Sequence, residues 1–317
     1  MAKAKGPGTP FLVALGAIML AVGFAGGMLL SQQGCERRPA PRQAPKPAAP
    51  WQAAPQPAAP WQAAPRQAAP RQAPVYEEPA PREAPAPARA RTQEAPKGEL
   101  SRLALVIDDL GYAPPELVAR LCAQPVAFSV AVLPYQEHSR ESATLAHDRG
   151  KEVLLHLPME GGPSANPGPD ALRTDQGEAE LRSLVRKAFD AVPFRVGANN
   201  HMGSRLTADR VRMGWVLEEF KARKLFFLDS RTSRETVAYD VAQKLGVRAA
   251  ERQVFLDDDK AFAEIEKQWE RALAIARRDG EAIIIGHIYP ETVEALEKLI
   301  PKAKGEVQFV KVGTLVK

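Results

Sequence analysis

The chain has 317 residues, 45% of them apolar, with 43 Lys/Arg against 38 Asp/Glu and a formal net charge of +5. The surplus is local: residues 1–100 hold 12 Lys/Arg against 6 Asp/Glu and 18 of the 29 prolines, leaving 31 against 32 for residues 101–317. A near-neutral folded part argues against nucleic acid as a partner, and two cysteines, Cys35 and Cys122, exclude a disulfide scaffold and a four-cysteine zinc site.

Residues 1–10 form a short tail carrying Lys3 and Lys5. Phe11–Leu30 follows, 20 residues without a charge. At 1.5 Å rise per residue such a helix spans about 30 Å, the thickness of a bilayer's hydrocarbon core. The segment predicts a single-pass signal anchor in the inner (cytoplasmic) membrane, with the folded domain extracytoplasmic. A cleaved signal peptide is the rival, and the length of the apolar run favours the anchor. Residues 31–99 read as a disordered Pro/Ala-rich linker, with APWQAAP at Ala49–Pro55 and again at Ala59–Pro65. Dense proline forbids ladders and favours polyproline II, so Pro39–Pro96 predicts a semi-rigid spacer reaching at most roughly 180 Å. A docking role for Trp51 and Trp61 is the alternative.

From Leu100 short apolar runs alternate with helical stretches. Strands are predicted at Leu103–Ile107, Val126–Val132, Glu152–Leu157, Phe194–Ala198, Leu225–Asp229, Val247–Ala249, Ala282–Gly286 and Gln308–Val312. Helices are predicted at Pro114–Ala123, Ser139–Arg149, Glu178–Val192, Ala208–Arg223, Thr236–Leu245, Lys260–Arg278 and Glu291–Ile300. The helix at 260–278 puts Ile265, Trp269, Leu273 and Ala276 on one face. This alternation predicts a parallel sheet with helical crossovers, in one barrel-like α/β domain over 100–317, or else a doubly wound open sheet. Either architecture gathers its chemistry at the C-terminal ends of the strands.

Those ends are polar. The first strand runs into Asp108-Asp109, the third carries His156 and reaches Glu160, and the fourth runs into Asn199-Asn200-His201. The strand at Leu225 ends at Asp229, and the strand at Ala282 runs into His287. Imidazole and carboxylate suit Zn²⁺, and three protein ligands leave a position for water. Such an ion lowers the pKa of bound water towards 7 and polarises a carbonyl. Convergence of these groups on one rim therefore suggests a metal hydrolase. Asp108 and Asp109 can divide base and ligand roles only if the backbone bends there, since successive strand residues point opposite ways. His138 and His147 read as solvated surface residues, and Asp257-Asp258-Asp259 as charge favourable to a helix N-terminus. No phosphate-binding glycine loop follows a strand, and neither Ser204 nor Ser230 sits in a nucleophile elbow.

Five motifs in order, LALVIDDLGY (Leu103–Tyr112), HLPMEG (His156–Gly161), GANNHMGSRLT (Gly197–Thr207), FFLDSRT (Phe226–Thr232) and IIIGHIYP (Ile283–Pro290), resemble the divergent polysaccharide deacetylase family, a distant branch of the carbohydrate-esterase deacetylases. The resemblance covers about residues 101–317. It implies a distorted (β/α)7 barrel and metal-dependent removal of acetyl groups from a glycan. By motif order Asp108 corresponds to the catalytic base, Asp109 to the metal-binding Asp, His287 to the general acid and Asp229 to the Asp that orients a catalytic partner. His156 falls at the first metal His. Glu160 stands where the second would be, so His201 becomes the candidate third ligand, with Glu160 and Asn200 as supporting polar groups. The expectation is a membrane-anchored extracytoplasmic hydrolase that uses a divalent metal, zinc by preference, to deacetylate an envelope glycan. The alternative is a degenerate deacetylase-fold protein that binds envelope glycan or a protein partner.

Overall fold

The computed structural model describes residues 100–317, so the expected anchor at 11–30 and linker at 31–99 lie outside the described residues. Among the described residues no helix is long and apolar enough to cross a membrane. Nine strands make one sheet: β1 (Ser101–Leu110), β2 (Ser129–Val132), β3 (Glu152–Met159), β4 (Arg195–Met202), β5 (Phe226–Asp229), β6 (Ala249–Glu251), β7 (Val254–Phe255), β8 (Glu281–His287) and β9 (Val307–Val310). Seven helices alternate with them: α1 (Pro115–Cys122), α2 (Ser139–Asp148), α3 (Glu178–Ala191), α4 (Arg210–Arg223), α5 (Ala238–Leu245), α6 (Phe262–Asp279) and α7 (Pro290–Ala303).

The strand order is β6-β5-β4-β3-β2-β1-β8-β7, and every ladder is parallel. β9 pairs with the first four residues of β1, beside the stretch that pairs with β2. The result is an α/β half-barrel of parallel strands. Its two edge strands, β6 and β7, are consecutive in sequence, and the chain crosses the gap through Arg252 and Gln253. Their backbone N–H groups donate to Asp229 on one side and Ile283 on the other.

A parallel sheet covered on both faces needs apolar residues at every position, and β1 supplies them with Leu103–Ile107 fully buried. Odd and even positions feed two cores. Leu103, Leu105 and Ile107 join the helices, where α6 buries Ile265, Trp269, Leu273 and Ala276 as its periodicity predicts. Ala104 and Val106 join Leu154, Phe226, Leu228, Ile283 and Ile285 in a second cluster to which none of α1–α7 contributes, the interior of the half-barrel.

The chain's last residues close the interior cluster. Val312, Leu315 and Val316 belong to it, and Lys317 exchanges backbone hydrogen bonds with Ala249 at 2.9 and 3.1 Å. A 3-10 turn at Val312–Thr314 is pinned by Ser129 Oγ, which accepts from Val312 N at 3.0 Å, and by Glu152 Oε2, which accepts from Gly313 N at 3.0 Å. The strand expected at 308–312 therefore stops two residues early.

Gly197 tests the interior packing. A Cβ there would stand 2.6–2.7 Å from three ring atoms of the buried Phe226. Gly197→Ala is expected to lower unfolding free energy by about 1–3 kcal/mol, read as a fall in the urea midpoint. An unchanged midpoint would show that the ring has room to move.

Candidate metal centre

Alternation along the strands decides which side chains enter the site. Continuing the interior series past Ala104 and Val106 reaches Asp108, and past Leu154 it reaches His156. On β4 the same face carries Asn199 and His201, on β8 it carries His287 beyond Ile285, and just past β5 it carries Ser230. The apolar core thus turns polar at one level on five elements. The backbone then bends: Asp109, Met202 and Arg231 all have positive φ (64°, 53° and 51°), and the β1–β2 register shifts between Ile107 and Leu110. The bend at Asp109 brings its carboxylate to the same side as that of Asp108, which a straight strand forbids.

Three ligand atoms meet there. Asp109 Oδ1 lies 3.3 Å from His156 Nε2 and 3.1 Å from His201 Nδ1, and the two nitrogens are 3.1 Å apart. All three residues are buried and form a group able to hold a metal ion. Ligands about 2.0–2.1 Å from one tetrahedral centre stand about 3.3–3.4 Å from each other, so the observed triangle is close to that size. Asp109 Oδ1 is also a buried oxygen with no partner in hydrogen-bond geometry, despite the nearby imidazoles. A cation satisfies that oxygen and both nitrogens together, so the donor set fits a divalent ion.

Asn199, fully buried, sits behind the triangle. Its Nδ2 donates to both carboxylate oxygens of Asp108 at 2.9 Å and to Ser230 Oγ at 3.2 Å, and its Oδ1 lies 2.8 Å from His156 Nδ1. Burial pushes the Asp108 carboxyl above its ordinary value, against the pull of His156, His287 and the Asn199 amide. Burial opposes charge on Asp109 as well, but there the imidazoles of His201 and His156 outweigh it and hold the carboxyl well below its usual range.

His287 lies beside Asp108 across the β1–β8 ladder. Its Nδ1 is 3.0 Å from Asp257 Oδ1, while Asp257 Oδ2 accepts from His287 N at 2.7 Å and from Thr292 Oγ1 at 2.6 Å. Phe255 meets the imidazole edge-on at 5.1 Å between ring centroids, and Tyr289 lies at 5.4 Å on a tilted ring. Burial works against the charged imidazole, but Asp257, with smaller help from Asp109 and Asp108, raises its pKa to about 9.

Asp108, Asp109, His156, His201 and His287 therefore come together, and three other expected residues do not. Asp229 turns to the opposite, helix-covered face, where it accepts from Arg231 N at 2.8 Å and Thr236 Oγ1 at 2.8 Å; the carboxylate on His287 is Asp257. Glu160 lies on the rim outside the triangle, bound by Thr174 through N at 2.5 Å and Oγ1 at 2.6 Å and by Arg205 at 3.0 Å. Asn200 points away from the interior and ties the ends of β4 and β5 by donating to Met202 O and accepting from Ser230 N. Of the acidic run, Asp259 serves the start of α6, accepting from Ala261 N at 2.9 Å, while Asp257 turns to His287. His138 pairs with Glu141 and His147 stacks on Phe194, both away from the site.

Asn199 and Asp257 were missed. The signal for Asn199 was its spacing of two from His201, which puts both on one strand face; that of Asp257 was its position directly after the apolar run Val254–Leu256. A groove of about 610 Å³ at residues 122–127 and 149–151 opens before β2 and β3, at the end of the sheet away from these residues. Cys122, among its lining residues, is buried with its thiol pushed up to about 11.

A family model described as divergent polysaccharide deacetylase matches residues 105–316. The chain is 41% identical over 215 residues to the uncharacterized protein YibQ of Escherichia coli (strain K12), covering 68% of this chain and 67% of that protein. An uncharacterized protein of Haemophilus influenzae is 36% identical over 215 residues, covering 68% of this chain and 76% of its own length. The fold is similar to the crystal structure of an uncharacterized protein from Agrobacterium tumefaciens C58, with a TM-score of 0.65 and 25% identity over 70% of this chain and 92% of that one.

The ligand group predicts about one equivalent of bound Zn²⁺ or another divalent ion, since one triangle holds one centre. His201→Ala and Asp109→Ala are each expected to weaken binding at least about ten-fold, and Glu160→Gln to leave it nearly unchanged. Competition with a chromophoric chelator measures this. Wild-type affinity in His201→Ala would remove His201 from the group.

Proposed function

The chain belongs to the divergent polysaccharide deacetylase family, and on that premise we propose that it is a metal-dependent hydrolase removing acetyl groups from an envelope glycan. The observation that carries this reading is the triangle of Asp109 Oδ1, His156 Nε2 and His201 Nδ1 beside a separate carboxylate, Asp108, and a carboxylate-bound imidazole, His287. Deacetylation needs those three parts: a Lewis-acid site, a base and an acid.

Asp109, His156 and His201 would hold a divalent ion, Zn²⁺ the first candidate, which when bound would supply polarisation of the acetyl carbonyl and greater acidity of water at the site. Asp108 takes the proton of the attacking water, its carboxylate fixed by both bonds from Asn199. His287, held by Asp257, which raises its pKa, gives a proton to the departing amine or alkoxide. Phe255 and Tyr289 flank the imidazole.

The glycan runs over the rim beyond β3, β4 and β5, in a groove of about 570 Å³ lined by Gly161, Gly162, Ser204, Arg205 and Thr232, among others. Arg205 is anchored by one N–H to Glu160, and a guanidinium has five donors, so the remainder is available to sugar hydroxyls. The uncharged run at 11–30 and the Pro-rich 31–99 support an anchored, extracytoplasmic setting, in which a cell-wall polymer is the substrate within reach.

Three outcomes test this reading. The purified full chain loaded with Zn²⁺ is expected to release acetate from N-acetylated or O-acetylated cell-wall fragments; measurable glycan binding without release under any divalent metal would favour a binding role. The rate is expected to fall as pH rises through the His287 value, at or below about 9 because a nearby cation pulls an imidazole pKa down. Asp257→Asn removes the main group raising that value, so its alkaline limb should move to lower pH. Arg205→Ala is expected to raise KM for an oligomeric substrate several-fold with kcat nearly unchanged, and an unaltered KM would remove the groove from the substrate path.

A further inference from the structure

We propose that Asn199 is a positioning residue that sets, with one side chain, both the tautomer of His156 and the orientation of Asp108. The inference rests on the hydrolase reading for the role of Asp108, and on the geometry alone for His156. Asn199 is fully buried on the interior face of β4, one alternation before His201, and all its polar contacts are internal.

The donors and acceptors leave one consistent arrangement. A carboxylate only accepts, so the Asn199 NH2 group must face Asp108, whose two oxygens both stand 2.9 Å from Nδ2. The amide oxygen then faces His156, 2.8 Å from Nδ1, so the imidazole must carry its proton on Nδ1. Nε2 is left with its lone pair, aimed at the triangle with Asp109 and His201. Ser230 Oγ, 3.2 Å from Nδ2, holds the amide from its other side. Turning the amide over would set a carbonyl oxygen against the Asp108 carboxylate, and would make His156 Nδ1 an acceptor with the ring proton on Nε2, facing the other two ligands. The base and the metal ligand are therefore held in register by one rigid amide.

Two substitutions separate the two halves. Asn199→Asp keeps an acceptor for His156 Nδ1–H but offers Asp108 no donor. Asn199→Leu, similar in volume, removes both. Zn²⁺ affinity measured by chelator competition is expected to be equal to or tighter than wild type in Asn199→Asp, and about 10–100-fold weaker in Asn199→Leu, the range seen when a partner of a metal-ligating His is lost. With acetylated glycan fragments as substrate, Asn199→Asp is expected to lose at least ten-fold in kcat with KM little changed. Circular dichroism and the urea midpoint establish that each variant is folded.

Equal losses of Zn²⁺ affinity in the two variants, or wild-type affinity in both, would overturn the proposal, because an amide that only fills space does not distinguish Asp from Leu in this way. Wild-type kcat in Asn199→Asp would overturn the half concerning Asp108. The zinc comparison needs no turnover, so absence of acetate release from the wild type would count against the hydrolase reading and leave the His156 assignment standing or falling on its own result.

Discussion

A sheet whose strands all run in one direction, covered on both faces, leaves little place for a polar side chain except near the strand ends. Its interior faces only itself, and an unpaired polar group there lacks both water and a partner. In this chain the interior is apolar through Val106, Leu154, Leu228 and Ile285, and turns polar at the next position of each series. That transition is what concentrates Asp108, His156, Ser230 and His287 at one level. Crowding then becomes the condition for stability, since each buried polar atom must find its partner among the others or in an ion.

The two adjacent carboxylates show how sharply such crowding discriminates. Asp108 is pushed towards the neutral form and Asp109 away from it, though they are neighbours in sequence and both are buried. The difference lies in what faces them: an amide and more distant imidazoles for Asp108, and two close imidazole nitrogens for Asp109. Titratable pairs driven apart in this manner divide base and ligand duties. The positive φ of Asp109 makes the division geometrically feasible.

Much of this was legible because the helical and strand periods are strong where both faces are buried. All seven helices and the apolar stretches of the long strands lie where the pattern puts them. β7 was not legible, being two residues that pair only with β8. Five of the residues that meet at the site are legible from residue type and strand position, whereas Asn200, Asp229 and Glu160 lie apart from them. Asn200 and Asp229 occupy the opposite strand face, and Glu160, in step with His156, lies beyond the end of β3 on the rim. Asn199 is one residue away from Asn200 and on the right face. Asp257 reaches His287 from the adjacent strand, a contact that depends on β7 lying beside β8, which short-range patterning does not record.

The central position of β1 has a cost during folding. It is the earliest strand in the described sequence, yet Arg102 meets Glu281 across 179 residues, and Ser101 pairs with Val307. Until β8 and β9 exist, β1 is an unpaired strand edge, apolar on both faces and free of proline, the kind that recruits other chains. Aggregation risk is thus built into the placement of the strand that carries Asp108 and Asp109. No contiguous fragment that stops short of β8 can hold them beside His287, so a chain truncated there leaves the site incomplete and that edge of β1 open.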